Sequence, residues 1–138
     1  MTVIAWDGET VAADTRATSG TSIVPVLDKK IVSQNGVSLA GCGVAHEVDA
    51  WQYDYFNGII RPLKGKGSIV LEFREGKCFV WESGASVPYA VRSPFTIGSG
   101  GDVAMGAMLA GKTATEAVRI ACKVDTACGL PVQTVKLK

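Results

Sequence analysis

Aromatic side chains are scarce in this chain, at 7% of 138 residues, and histidine occurs once, as His46. With 16 glycines beside so few rings, tight turns and close backbone approaches are favoured over a helix bundle, so a sheet-rich domain is expected. A single histidine leaves little room for Ser-His-Asp or Cys-His catalysis. Neither signature motif surrounds His46, which reads as a surface or cap residue. No charge of one sign dominates: the net charge is +1 and charged residues make up 20%. That excludes an acidic disordered chain and a basic nucleic-acid binder. The cysteines Cys42, Cys78, Cys122 and Cys128 show no C-x-x-C pairing, and they are expected as free intracellular thiols without disulfides. No apolar run approaches the ~18 residues of a membrane span, and no basic leader opens the sequence, so a soluble cytoplasmic protein is expected. Neither a metal site nor a cofactor is expected.

What is present is a 47% hydrophobic composition in a length that fits one domain, 1–138, with a core of its own. Val3 to Trp6 and Thr10 to Asp14 read as a hairpin about Asp7-Gly8-Glu9. A turn centred on Gly8 would set Ala5 opposite Val11, Val3 opposite Ala13, and Thr2 opposite Asp14. A meander of strands is expected at Ile23 to Val26, Lys30 to Gln34 and Val37 to Gly41, with Asn35-Gly36 as a hairpin turn. The period then becomes helical from Val44 to Phe56, with Val44, Val48, Trp51, Tyr55 and Phe56 near one face. Asn57-Gly58 ends that helix. A basic link precedes strands at Ser68 to Phe73 and Cys78 to Glu82, and Ser83 to Ser93 reads as irregular.

Phe95-Thr96-Ile97 leads into Gly98-Ser99-Gly100-Gly101 and a small-residue helix reaching about Ala110. Thr113-Ala114-Thr115-Glu116 has capping-box spacing, and Ala117, Ile120, Ala121 and Val124 would form the buried stripe of the next helix. Gly129 and Pro131 stop it, and Val132 to Leu137 closes the chain as a strand. The order is a mixed α+β one. The Gly98 to Gly101 run lacks both the Walker lysine and the G-x-G-x-x-G spacing, so no nucleotide site is expected there.

The segment Asp7-Gly8-Glu9-Thr10-Val11-Ala12-Ala13-Asp14-Thr15-Arg16-Ala17-Thr18 resembles the second-strand signature of proteasome β-subunits and HslV, which are N-terminal-nucleophile hydrolases. The resemblance continues through Asp28-Lys29-Lys30-Ile31, Ala40-Gly41, Gly98-Ser99-Gly100 and Asp125-Thr126-Ala127-Cys128-Gly129. Five landmarks in order are more specific than any one of them. The resemblance implies a four-layer αββα sandwich in a compact, short and divergent version. The first hairpin is about two residues shorter on each arm, and Ile59 to Gly67 leaves no room for the family's second long helix. Cys128 stands where the family usually has serine.

The resemblance implies a threonine-type peptidase acting on peptides or proteins in a homo-oligomer, with an ATP-dependent unfoldase as partner. The missing helix bears on ring assembly and unfoldase docking more than on chemistry. Thr2, exposed by removal of Met1, would be the nucleophile. Its free α-amine, of pKa about 7.7 to 8.0, would be the base. Lys30 would hold a positive charge beside the Thr2 hydroxyl, with Asp14 fixing it, while Lys29 on the opposite face is a solvated turn residue. Arg16 reads as a structural ion-pair partner. Gly41 would offer its N–H to the oxyanion, serve the strand-to-helix turn, or both.

Ser99 and Asp125 would hydrogen-bond around the N-terminal amine, with capping and turn roles as the alternative. Cys128 is a weakened site residue or small packing. Ala17, Asp28, Val32, Leu39 and Gly43 are expected near a specificity pocket that tolerates apolar or basic side chains. Two other readings stay open: a catalytically silent structural or partner-binding subunit, and a small-molecule amidase.

Overall fold

The structure, a computed structural model, describes residues 2–25 and 29–137. The described residues form an α+β arrangement of antiparallel sheets and three helices. The first sheet contains β1 (Ile4–Trp6), β2 (Thr10–Ala13), β10 (Phe95–Ile97) and β11 (Gln133–Lys136) in the order β10-β1-β2-β11. The second contains β5 (Ile31–Gln34), β6 (Val37–Cys42), β7 (Ile69–Arg74), β8 (Lys77–Glu82) and β9 (Tyr89–Val91), in sequence order. Between β2 and β5 in sequence lies a separate hairpin, β3 (Ala17–Ser19) with β4 (Ser22–Val24).

The β1–β2 register differs from the expected one. Ile4 pairs with Ala13, Ala5 with Ala12 and Trp6 with Val11, a step of one residue. The loop has two central residues, Gly8 and Glu9, closed by Asp7 N–H donating to the Thr10 carbonyl at 3.2 Å, so the turn does not centre on Gly8. Gly8 has φ +102°, the left-handed first position that a tight hairpin of this length gives to glycine. The Asp7 carboxylate completes the turn by accepting from Glu9 N–H and Thr10 N–H at 2.9 and 2.8 Å. Continuing this register sets Val3 opposite Asp14, and the Asp14 N–H donates to the Val3 carbonyl at 3.1 Å.

Other expectations are corrected as well. The meander fails at its first strand, because among the described residues β4 pairs with β3 alone and leaves Ile23 mostly exposed; Val26 lies outside them. The stretch expected to be irregular holds β9, whose Tyr89, Ala90 and Val91 extend the second sheet beyond β8. The Asn35-Gly36 turn is where the sequence puts it, joining β5 to β6 with Gln34 opposite Val37.

Side-chain alternation divides the interior into three cores. Ile4, Trp6, Val11 and Ala13 of the first sheet meet Ile31, Ala40, Leu71, Phe73 and Val80 of the second. On its other face the first sheet presents Val3, Ala5 and Ala12 to α2 (Gly101–Leu109) and α3 (Ala114–Val124). The second sheet's other face presents Leu39, Val70 and Trp81 to Val48 and Trp51 of α1 (Ala45–Phe56). No helix stands between α1 and β7 among the described residues.

In α1, Val48 and Trp51 are buried, with Tyr55 and Phe56 partly so, as the period predicts; the additional buried residue is Gln52. The stripe of α3 is rotated from the expected one: Ala114, Ala117, Val118 and Ala121 are buried, whereas Val124 is 66% exposed. Alanines let this helix approach the small residues of β1 and β2 closely, and Val124, in its last turn, projects past that contact. The capping box is formed, with Glu116 N–H donating to Thr113 Oγ1 at 3.2 Å and Thr113 N–H donating to Glu116 Oε1 at 3.0 Å.

Candidate active site

Three of the expected residues converge at the start of the first sheet. Lys30 Nζ donates to Thr2 Oγ1 at 2.9 Å and to Asp14 Oδ1 at 2.7 Å. The Lys30 side chain is 15% exposed and that of Asp14 is fully buried. Thr2 immediately precedes Val3 and β1, Asp14 immediately follows β2, and Lys30 immediately precedes β5, so both sheets contribute to the cluster. Thr2 and Asp14 are therefore coupled through the Lys30 ammonium and not by the direct cross-strand opposition read from the sequence.

Asp14 is a hub. Its Oδ1 also accepts from Val3 N–H at 3.1 Å, and its Oδ2 accepts from Arg16 N–H at 3.1 Å and Gly129 N–H at 3.0 Å. Bonds from backbone N–H groups and an ammonium compensate the removal of this carboxylate from water. Arg16 has a structural role, though no ion pair of it is seen among the described residues: its guanidinium donates to the Thr126 carbonyl at 2.8 Å and lies against Gly129, where a Cβ would fall 2.4 Å from Arg16 Nε.

A second group, Ser99, Asp125 and Cys128, is brought together by the turns beside α2 and α3. Ser99 Oγ donates to Asp125 Oδ2 at 2.5 Å, and Ala127 N–H donates to Asp125 Oδ1 at 2.8 Å. Those two bonds, the Ser99 one foremost, hold the Asp125 carboxyl below its ordinary range. Cys128 hydrogen-bonds in the same group, and burial first, then the charges of Asp14 and Asp125, push its thiol up to about 12. The group reaches Thr2 through the Gly98 to Gly100 turn, where Gly100 N–H donates to the Thr2 carbonyl at 3.3 Å. A Cβ on Gly98 would stand 2.0 Å from that same oxygen, so only glycine fits.

Gly41 departs from expectation. Its N–H donates to the Lys30 carbonyl at 3.2 Å, prolonging the β5–β6 ladder, so in this arrangement it is not offered to an oxyanion. Its lack of a side chain matters instead for packing, since a Cβ would fall 2.4 Å from Val48 Cγ1 of α1.

Thr2, Lys30 and Gly41 line a cleft of about 150 Å³ together with Ala17 and Gly43, two of the residues expected near a specificity pocket. The others separate from it. Leu39 is wholly buried in the core under α1 because its parity on β6 turns it to that helix, and Val32 lines a neighbouring cavity with Tyr53 and Phe56. Asp28 lies outside the described residues. Lys29, on the exposed side of the chain, borders both openings.

Three contributors were not assigned to the site from the sequence: Gly129 as a donor to Asp14, the Gly98 to Gly100 grip on the Thr2 carbonyl, and Gln52 at the cleft. Gln52 carried a signal, a polar residue four positions after Val48 on the apolar face of α1. Among the described residues, no group of three or more His, Cys, Asp and Glu side chains is placed to hold a metal ion.

This architecture matches solved structures over its whole length. BPH from Thiobacillus denitrificans superposes with a TM-score of 0.78 at 20% identity, covering 100% of this chain and 98% of that one. The fold is HslV-like. Eukaryotic HslV from Trypanosoma brucei gives a TM-score of 0.75 at 17% identity, covering 99% of this chain and 98% of its own. BPH in complex with epoxomicin gives 0.77 at 19% identity, covering 99% and 97%. No protein-family model and no curated protein sequence matches the chain. At these identities the HslV-like likeness is one of fold. No helix among the described residues is long and apolar enough to cross a membrane.

Proposed function

We propose that this chain is a threonine-type peptidase with Thr2 as its nucleophile, built as one domain of four layers in the order α2 and α3, first sheet, second sheet, α1. The layer order is supported by the three separate cores. The observation that carries the chemistry is the Lys30 ammonium, held by a fully buried carboxylate and donating to the Thr2 hydroxyl at 2.9 Å. A cation there stabilises negative charge developing on Oγ1.

Removal of Met1 would free the α-amine of Thr2 to take the hydroxyl proton. Oγ1 then attacks the carbonyl carbon of a substrate amide, the C–N bond breaks, and the departing amine takes up the proton. Water hydrolyses the resulting ester and regenerates Thr2. Peptides or proteins are the substrates, and the working form is a homo-oligomer. Within this reading Ser99 and Asp125 position the N-terminal residue through the turn that grips its carbonyl, while Cys128 packs beneath them.

The engaged N–H of Gly41 favours a second reading, a silent structural or partner-binding subunit, since an oxyanion donor is worth several kcal/mol, about 2.7 to 4, where it has been removed by mutation. One experiment separates the two. Intact-mass analysis of fresh protein, before and after an epoxyketone probe, is expected to show loss of Met1 and a single adduct that maps to Thr2. Quantitative retention of Met1, or a processed chain that never takes up probe, would overturn catalysis by Thr2 in favour of the silent subunit.

A further inference from the structure

Gln133 belongs to the first sheet by its backbone and reaches the second by its side chain. As the first residue of β11 it stands opposite Ala13 of β2, the residue before Asp14. Its side-chain amide meets Ile31 of β5, the residue after Lys30. Ile31 N–H donates to Gln133 Oε1 at 3.0 Å, and Gln133 Nε2 donates to the Ile31 carbonyl at 2.6 Å. β5 is an edge strand of its sheet, so this one side chain fills the place of a neighbouring strand. Ile31 is 2% exposed, and backbone groups buried at an edge need such partners. On the opposite flank the Lys30 carbonyl accepts from Gly41 N–H of β6 at 3.2 Å. The backbone that carries Lys30 is therefore gripped from both sides, once by a strand and once by Gln133.

We infer that Gln133 is a positioning residue for the Thr2 site: by tying Ile31 to the strand beside Ala13, it fixes the backbone of Lys30 relative to that of Asp14 and so sets the ammonium against the Thr2 hydroxyl. This rests on the reading of Thr2 as nucleophile. The Lys30 ammonium divides its bonds between a carboxylate and a neutral hydroxyl. A charge-assisted bond is the stronger of two such contacts, so if β5 drifts from β11 the pair with Asp14 holds and the contact with Thr2 Oγ1 is given up. Loosening the brace thus acts on the nucleophile. Gln133 itself is not among the residues lining the Thr2 cleft, so substrate binding should not feel its loss.

The test uses the full chain with Met1 removed and an epoxyketone probe, resolving the labelling rate at saturation, kinact, from the probe's binding constant, KI. Gln133→Met keeps the length of the side chain and removes both hydrogen bonds to Ile31. Its kinact is expected to fall roughly 10- to 100-fold, the scale of an ångström-sized misplacement, with KI unchanged. Gln133→Glu, which still accepts from Ile31 N–H but sets a carboxylate oxygen against the Ile31 carbonyl, should also lower kinact and serves if the methionine variant does not fold. Thr113→Ala weakens the cap of α3, at the end of that helix remote from Asp125, and should leave kinact per folded molecule unchanged. Independently of any labelling, cross-relaxation between the Lys30 ε protons and the Thr2 methyl group is expected in the unsubstituted chain and should be lost in Gln133→Met.

An unchanged kinact, an effect confined to KI, an equal fall of kinact in Thr113→Ala, or a Lys30–Thr2 contact that is absent from the unsubstituted chain or survives the substitution would each overturn the inference. An unsubstituted chain that takes up no probe would overturn the hydrolase reading alone, and the Lys30–Thr2 contact would then decide the role of Gln133.

Discussion

The carboxylate of Asp14 accepts a hydrogen bond from the backbone N–H of Gly129 at 3.0 Å, across 115 positions of sequence. That bond joins the end of the first hairpin to the turn after α3, so the group containing Ser99, Asp125 and Cys128 is anchored to the carboxylate that also holds Lys30. Asp14→Asn tests how much of the site depends on it. An amide can replace one carboxylate oxygen but sets its NH2 against two donors on the other, whichever way it is turned. The expected loss is about 3 kcal/mol in a denaturant titration, as for other buried pairs broken from one side, together with loss of probe labelling.

Lys30→Ala and Lys29→Ala form a matched pair of equal net charge. Removing Lys30 takes away the cation beside Thr2 and leaves Asp14 short of a partner, so labelling should vanish and stability fall by ~1–3 kcal/mol. Lys29 is exposed, and its loss should leave both unchanged. Long-range electrostatics cannot distinguish neighbouring lysines, so equal behaviour of the two variants would refute the assignment of Lys30 to Thr2.

Gly98→Ala should be far more damaging than Gly20→Ala. At Gly98 the new Cβ would fall 2.0 Å from the Thr2 carbonyl oxygen with φ at +96°, whereas at Gly20 it meets nothing within 4 Å. The expected costs are on the order of 3 kcal/mol for Gly98, from clash and strain together, and about 1 kcal/mol for Gly20. Melting temperatures of the two variants decide it.

The Ser99 hydroxyl leads the causes that lower the Asp125 pKa from its ordinary 3.8. A carboxyl depressed on folding contributes stability above its unfolded pKa and loses that contribution as pH falls through the folded one. The window here therefore lies at and below 3.8. Ser99→Ala should move the Asp125 titration upward towards 3.8, followed by the carboxyl carbon resonance, and should flatten the acid limb of stability. An unmoved titration would show that the Ala127 N–H, and not Ser99, sets it.

Apart from β3 and β9, which the sequence reading missed, element type and order were legible in the sequence because local chemistry specifies them: Asn35-Gly36 for one hairpin, Thr113 with Glu116 for a helix start, and alternating apolar residues for the sheets. The choice of Thr2, Asp14 and Lys30 came from a resemblance whose landmarks stand in order along the chain, and side-chain parity separated Lys30 from Lys29. Tertiary structure decided what local rules leave open. A two-residue turn and a centre on Gly8 are equally compatible with Asp7-Gly8-Glu9, and they differ by one step, which moved Asp14 from opposite Thr2 to opposite Val3. The connection between them survived because a long lysine side chain from the other sheet spans the offset, something no pairwise register can express. In the same way, the N–H of Gly41 and the burial of Leu39 and Gln52 follow from how closely α1 lies on β6. That distance is fixed by packing between segments remote in sequence, and so appears only when the chain is folded.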